Sequence, residues 1–202
     1  VNRRHFILQS SSTIAAATVP LFSPFNASAL VNTDLSAGTK KIKEAQLYPE
    51  ISTDRTIKHF SHNDWLTLTI VQNHFLPSEN DAPGAVEINA LHYLYDFLSR
   101  PATDPVDVKF ILWGTQQLQT LSKDNNTVRF IDQSIEHREK TLRHFEQQTE
   151  GRRWLVTIMN YVLEALLSDP VYGGNPDGIG WQWLEHRAGE PRPPMNKRYW
   201  LA

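Results

Sequence analysis

His59 and His62 stand three residues apart with Asp64 two further on, the spacing at which one helical turn offers two imidazoles and a carboxylate to a metal ion. No further ligand follows at fixed spacing, and helix capping suits a polar residue here better than ligation. His137 and His144 share a helix face two turns apart, too far to chelate one ion together. The chain has no cysteine, so thiolate-bound iron–sulfur clusters and haem attachment through Cys-x-x-Cys-His are excluded. There is no Gly-x-Ser-x-Gly elbow of the hydrolase kind. Glu164 sits among apolar residues, either as a buried, paired carboxylate or as an interface contact. The residues therefore assign no catalytic, cofactor-binding or metal-binding set.

The densest patterning lies in residues 169–183, DPVYGGNPDGIGWQW, which hold four of the chain's nine glycines and two of its six tryptophans. Pro170 ends a preceding helix, Gly173 and Gly174 permit positive φ, and Asp177-Gly178 is a strong turn pair. Trp181 and Trp183 supply large apolar anchors, and the turn is expected to present backbone N–H groups outward. A dinucleotide loop needs Gly-x-Gly-x-x-Gly between a strand and a helix; here a helix precedes the glycines and Pro176 interrupts them. A calcium loop with Gly178 as its turn glycine would place Gly173 and Leu184 at the first and twelfth ligand positions, and neither can serve. A protein–protein contact centred on Tyr172, Trp181 and Trp183 suits the composition, because exposed aromatics make strong hot spots.

The elements that must position this block read as helices. Ser61 or Asn63 caps a first helix with Trp65, Leu66, Ile70 and Phe75 at helical spacing, and Pro77 stops it. Turn residues 78–84 lead to a second helix over 85–99, ended at Arg100-Pro101. Asp104-Pro105 starts a third, with Phe110, Ile111, Leu112, Trp113, Leu118 and Leu121 on its apolar side. A polar turn at 123–126 precedes a charged fourth helix over 128–148, whose buried stripe is Phe130, Ile131, Ile135, Leu142 and Phe145. Its Glu136-Lys140 and Glu139-Arg143 spacings favour i,i+4 ion pairs on a solvated face. The fifth, over 151–168, is apolar around most of its circumference, as in a helix buried on several sides. No long period-2 alternation appears. The fold expected is an all-α single bundle of about five main helices, with an irregular N-terminal arm, a Gly-rich loop and an extended C-terminal tail.

Arg3-Arg4-His5-Phe6 opens a mildly apolar stretch that ends in Ala27-Ser28-Ala29, the pattern of a twin-arginine export signal with a signal-peptidase site. Arg3, Arg4 and Phe6 are its signal residues. The stretch is too short and polar to span a membrane. Cleavage after Ala29 would leave 173 residues, enough for one domain with a core, and 18 Lys+Arg against 22 Asp+Glu would change the formal net charge from −2 to −4. A mildly acidic chain with scattered basic residues argues against nucleic acid as a partner. Residues 30–59 read as an irregular arm, 60–190 as the helical domain and 191–202 as an extended tail, whose Tyr199-Trp200-Leu201 favours a strap on a partner. The export route carries folded proteins, most often for the sake of a cofactor, yet this chain has no cofactor motif.

DPVYGGNPDGIGWQWL after an apolar helix, with Gly189-Glu190-Pro191-Arg192-Pro193 after it, resembles the signature of the gluconate 2-dehydrogenase subunit 3 family. Leu76-Pro77, Pro83-Gly84-Ala85 and Phe110 to Gly114 also sit where that family has similar features, so the likeness covers roughly residues 60–194. The resemblance implies a non-catalytic small (gamma) subunit that helps an FAD-dependent flavoprotein mature and leave by the twin-arginine route. A multihaem cytochrome c would be the third subunit, and FAD and c-type haem would belong to the partners. It puts Tyr172, Gly173, Gly174, Asn175, Asp177, Gly178, Gly180 and Trp181 on motif positions of structural or interfacial role, with Trp183 beside them. The implied location is the periplasm, peripheral to the inner membrane through the complex. The alternative is a free-standing periplasmic helical protein that binds a small ligand or metal.

Overall fold

The computed structural model describes residues 57, 59–126 and 128–194. The export signal with Arg3, Arg4 and Phe6, nearly all of the 30–59 arm, and the tail beyond residue 194 lie outside the described residues. Among the described residues there are six α-helices: α1 (His62–Phe75), α2 (Ala90–Ser99), α3 (Pro105–Asn126), α4 (Ile135–Gln147), α5 (Thr149–Leu167) and the short α6 (Ile179–Leu184). There is no strand among the described residues, so the fold is all-α as expected. None of the described helices is long and apolar enough to cross a membrane.

Ser61 is the residue that caps α1. Its hydroxyl accepts from the Asp64 amide, and the Asp64 carboxylate accepts from the Ser61 amide at 2.8 Å, a reciprocal capping box. Gln119 of α3 also donates to Asp64, at 3.0 Å, tying the start of α1 to a second helix.

Three helix boundaries differ from the sequence expectation. α2 starts at Ala90 and not at residue 85, because the Ile88 carbonyl accepts from the Asn175 amide at 2.9 Å and Asn89 turns left-handed (φ 56). The left-handed turn at Asn89 breaks the helical path, and the Ile88 carbonyl serves a distant amide in place of the i+4 ladder. α3 runs on to Asn126, through the turn expected at 123–126. It begins as anticipated, with the Asp104 side chain accepting from the Val106 amide at 2.8 Å and Pro105 in the first turn.

The fourth helix is the third difference. A 3₁₀ turn at Phe130–Asp132 comes first, and extended Gln133 and Ser134 then restart the chain as α4, with the Ser134 hydroxyl capping the His137 amide. Ser134 is the better helix start, and beginning there rotates Ile135 out to 56 % exposure while Phe130, Leu142 and Phe145 stay buried. Glu139 and Arg143 do pair, at 2.6 Å.

α5 is the central element and packs against α1, α2, α3, α4 and α6. Its buried side carries Trp154, Leu155, Ile158, Tyr161, Val162, Ala165 and Leu166. Arg152, Arg153, Asn160 and Glu164 leave it one exposed face. Trp154 is wholly buried and its indole N–H donates to the Ile111 carbonyl at 3.0 Å. At this crossing α3 presents Gly114, where a Cβ would collide with the Trp154 ring. A glycine is required because the Trp154 ring occupies the space that a Cβ at residue 114 would take.

Candidate functional site

The block that follows α5 is built from two 3₁₀ turns and α6, and its centre is Asn175. Asp169 caps the first turn (Pro170–Tyr172) by accepting from the Val171 amide at 3.1 Å. Gly173 (φ 93) reverses the chain. Asn175 follows in left-handed backbone (φ 49) with no exposed surface. Its side-chain amide donates to the Ser168 carbonyl at 3.0 Å, and its side-chain oxygen accepts from the Gly180 amide at 2.6 Å. Its own amide makes the bond to Ile88 described above. One side chain thus joins the end of α5 to the start of α6, while its backbone anchors both to the turn before α2.

Pro176–Gly178 forms the second turn, with Asp177 (φ 55) and Gly178 (φ 71) both left-handed, and Gly178 begins α6. Gly180 packs directly on the Leu166 carbonyl and side chain, leaving no room for a Cβ. This close approach lets α6 lie against the end of α5. The Trp181 indole N–H donates to the Leu167 carbonyl at 2.8 Å, a second tie between the same helices.

The expectation of outward-pointing amides is overturned for four of the block's N–H groups. The N–H groups of Gly173, Asn175, Gly178 and Gly180 donate to Pro170, Ile88 and, in the last two cases, the Asn175 backbone and side chain. Amides consumed in this way do not cradle a phosphate, and the block does not fit a dinucleotide. The aromatic residues are half-buried and not fully exposed: Tyr172, Trp181 and Trp183 are intermediate, Gly174 is buried, and Asp177 and Gln182 face solvent. The nine motif residues from Tyr172 to Trp183 thus fall into a buried brace, centred on Asn175, and three half-buried aromatic side chains.

Two residues outside the expected set complete the site. Arg192 Nε donates to Asp169 Oδ2 at 2.9 Å, and its guanidinium lies 5.0 Å from the centre of the Trp181 ring. Burial pushes the Asp169 carboxyl up, but the bonds from Arg192 and the Val171 amide outweigh it and hold the group below its ordinary range. Asp169 was legible as a helix-cap residue before proline, whereas nothing local in the sequence pairs residue 169 with residue 192. On the other side, Gly173 sits over the side chains of His92 and Asp96 of α2.

The remaining polar residues have other tasks. Asp64 is engaged in capping, His59 and His62 are exposed, and among the described residues no group of three or more metal-ligating side chains converges. Glu164 is exposed and accepts from the Tyr93 hydroxyl at 3.1 Å, joining α5 to α2. Burial, with the adjacent Glu164 carboxylate, pushes Tyr93 up to about 12. His74 Nε2 lies 2.7 Å from Glu139 Oε2, which also takes Arg143. The bond from His74 holds Glu139 down at about 2 against the penalty of burial, with Arg143 assisting.

The described residues thus form an all-helical domain closed by a cross-braced glycine block. The family model described as gluconate 2-dehydrogenase subunit 3 matches residues 62–189, from the first residue of α1 to beyond α6. The chain belongs to the gluconate 2-dehydrogenase subunit 3 family. No curated protein and no solved structure matches it significantly.

Proposed function

We propose that this chain is the non-catalytic small subunit of an FAD-dependent dehydrogenase complex of the gluconate 2-dehydrogenase kind, oxidising a sugar, polyol or sugar acid. The observation that carries the reading is family membership across every described helix and the whole braced block. Its action is association. The helical body and the rim of Tyr172, Trp181 and Trp183 grip a flavoprotein, half-buried aromatics being suited to interface anchors. The flavoprotein holds the FAD and performs the oxidation, and a multihaem cytochrome c subunit takes the electrons.

The Arg3-Arg4-x-Phe6 signal then serves a passenger. A chain without a cofactor motif uses a route for folded proteins because it leaves with one that has a cofactor, and the complex works in the periplasm, held to the inner membrane by its partners. Expressing the flavoprotein with this chain, without it, and with Arg3 and Arg4 both changed to lysine tests the reading. Active periplasmic flavoprotein is expected only with the unaltered chain. Equal active flavoprotein in all three periplasms would refute the escort role. A stable monomer that purifies with its own metal or small ligand would instead favour the free-standing binding protein.

A further inference from the structure

Arg192 joins the segment after α6 to the motif block at two points. Its Nε bonds the Asp169 carboxylate, and its guanidinium covers one face of the Trp181 ring, which the bond to Leu167 holds in place. The Glu190 carboxylate accepts from the Arg192 amide at 3.2 Å and shapes the same segment. At the other end, the His186 amide donates to the Trp181 carbonyl at 2.9 Å. The stretch between is exposed apart from half-buried Ala188, and a Cβ added at Gly189 would meet nothing within 4 Å. The segment is therefore pinned at both ends and loose between.

The outer pin is weak by construction. The Arg192 side chain is 41 % exposed. Its partner Asp169 is only 10 % exposed, so this half-exposed ion pair, with an exposed cation–π contact, favours the closed arrangement by about tenfold. Such a contact keeps an indole covered in water but yields to a partner that supplies a better one.

We propose that residues 189–194 form a displaceable strap, latched over Trp181 by Arg192, and that the flavoprotein binds the indole face that the strap uncovers. This rests on the reading of the chain as a flavoprotein-binding subunit. Keeping an aromatic anchor covered until the partner arrives limits unwanted association. It also reduces apparent affinity by the fraction of chains that are open.

The test uses the full chain and its Arg192→Met variant. In the variant the Trp181 indole N–H signal, assigned by Trp181→Phe, should shift in the ¹H–¹⁵N spectrum. Trypsin should cut the exposed Arg187–Ala188 bond several-fold faster, read by mass spectrometry. The melting curve should stay close to that of the parent. Affinity for the purified, FAD-loaded large subunit should rise by up to about tenfold, because the closure cost is removed. An unshifted indole signal with unchanged cleavage would show that no latch exists. Released strap with equal or weaker flavoprotein binding would show that Trp181 is not the uncovered anchor. If the unaltered chain fails to bind the flavoprotein at all, the subunit reading itself falls, and the latch is then judged by the spectrum and the cleavage alone.

Discussion

Asn175 has no exposed surface, a left-handed backbone, and hydrogen bonds to Ile88, Ser168, Gly178 and Gly180. Asn175→Ala strands the buried Gly180 amide and the Ser168 carbonyl while keeping the backbone penalty, so it should cost about 2–4 kcal/mol in urea unfolding. Asn175→Gly loses the same side-chain bonds but relieves the left-handed strain, and should cost about 1 kcal/mol less. Equal losses would mean that φ has no part in the choice of residue. The other residue-scale prediction concerns Glu139, held at about 2 against an ordinary 4.5 by His74 and Arg143. A carboxyl depressed in the folded state binds fewer protons there than in the unfolded chain. Its stabilisation is complete above about pH 4.5 and drains away as pH falls toward about 2. With Glu139 43 % exposed, the contribution is about 1 kcal/mol or less. The melting-temperature gap between parent and Glu139→Gln should accordingly be constant near neutrality and close between those pH values. A gap that persists at pH 2 would assign the effect to packing.

Between elements, the crossing of α3 over α5 depends on Gly114 facing Trp154. Alanine in an exposed helix gains about 1 kcal/mol over glycine. Here the added Cβ meets a fully buried indole whose N–H is committed to Ile111, and overpacking of this kind costs about 1–3 kcal/mol. The collision wins. Gly114→Ala should lower the unfolding midpoint, whereas Gly189→Ala, with open space around it, should leave it unchanged. A neutral Gly114→Ala would mean that α3 can slide on α5. Helices α1, α3 and α5 were legible because their caps and apolar spacing are local: Ser61 with Asp64, Asp104 with Pro105, and the run from Trp154 to Leu166. The start of α2 was not, since the bond that takes the Ile88 carbonyl comes from residue 175. The start of α4 was misread because Ser134, a strong cap, lies inside a stretch whose apolar spacing alone continues a helix.

In the described domain as a whole, α5 touches every other described helix and the block is braced to both α5 and the turn before α2. A block braced in this way cannot melt before the helices that hold it. Far-UV circular dichroism and tryptophan fluorescence should therefore give one urea transition, and Asn175→Ala should move both curves together. A fluorescence change preceding the loss of helix would mean that the block unfolds alone. By itself, the sequence determined the all-helical class, the family and the identity of the block, because helix period, caps and the Tyr172 to Trp183 run are properties of neighbouring residues. Only the tertiary structure decided that the block's amides turn inward, that Glu164 meets Tyr93, that Asn175 holds Ile88, and that Arg192 covers Trp181. The contacts of Glu164 with Tyr93 and of Asn175 with Ile88 join residues far apart in the chain, the inward amides and the Arg192 contact depend on how the turns and α6 fold back, and each exists only once packing has fixed the distance between its partners.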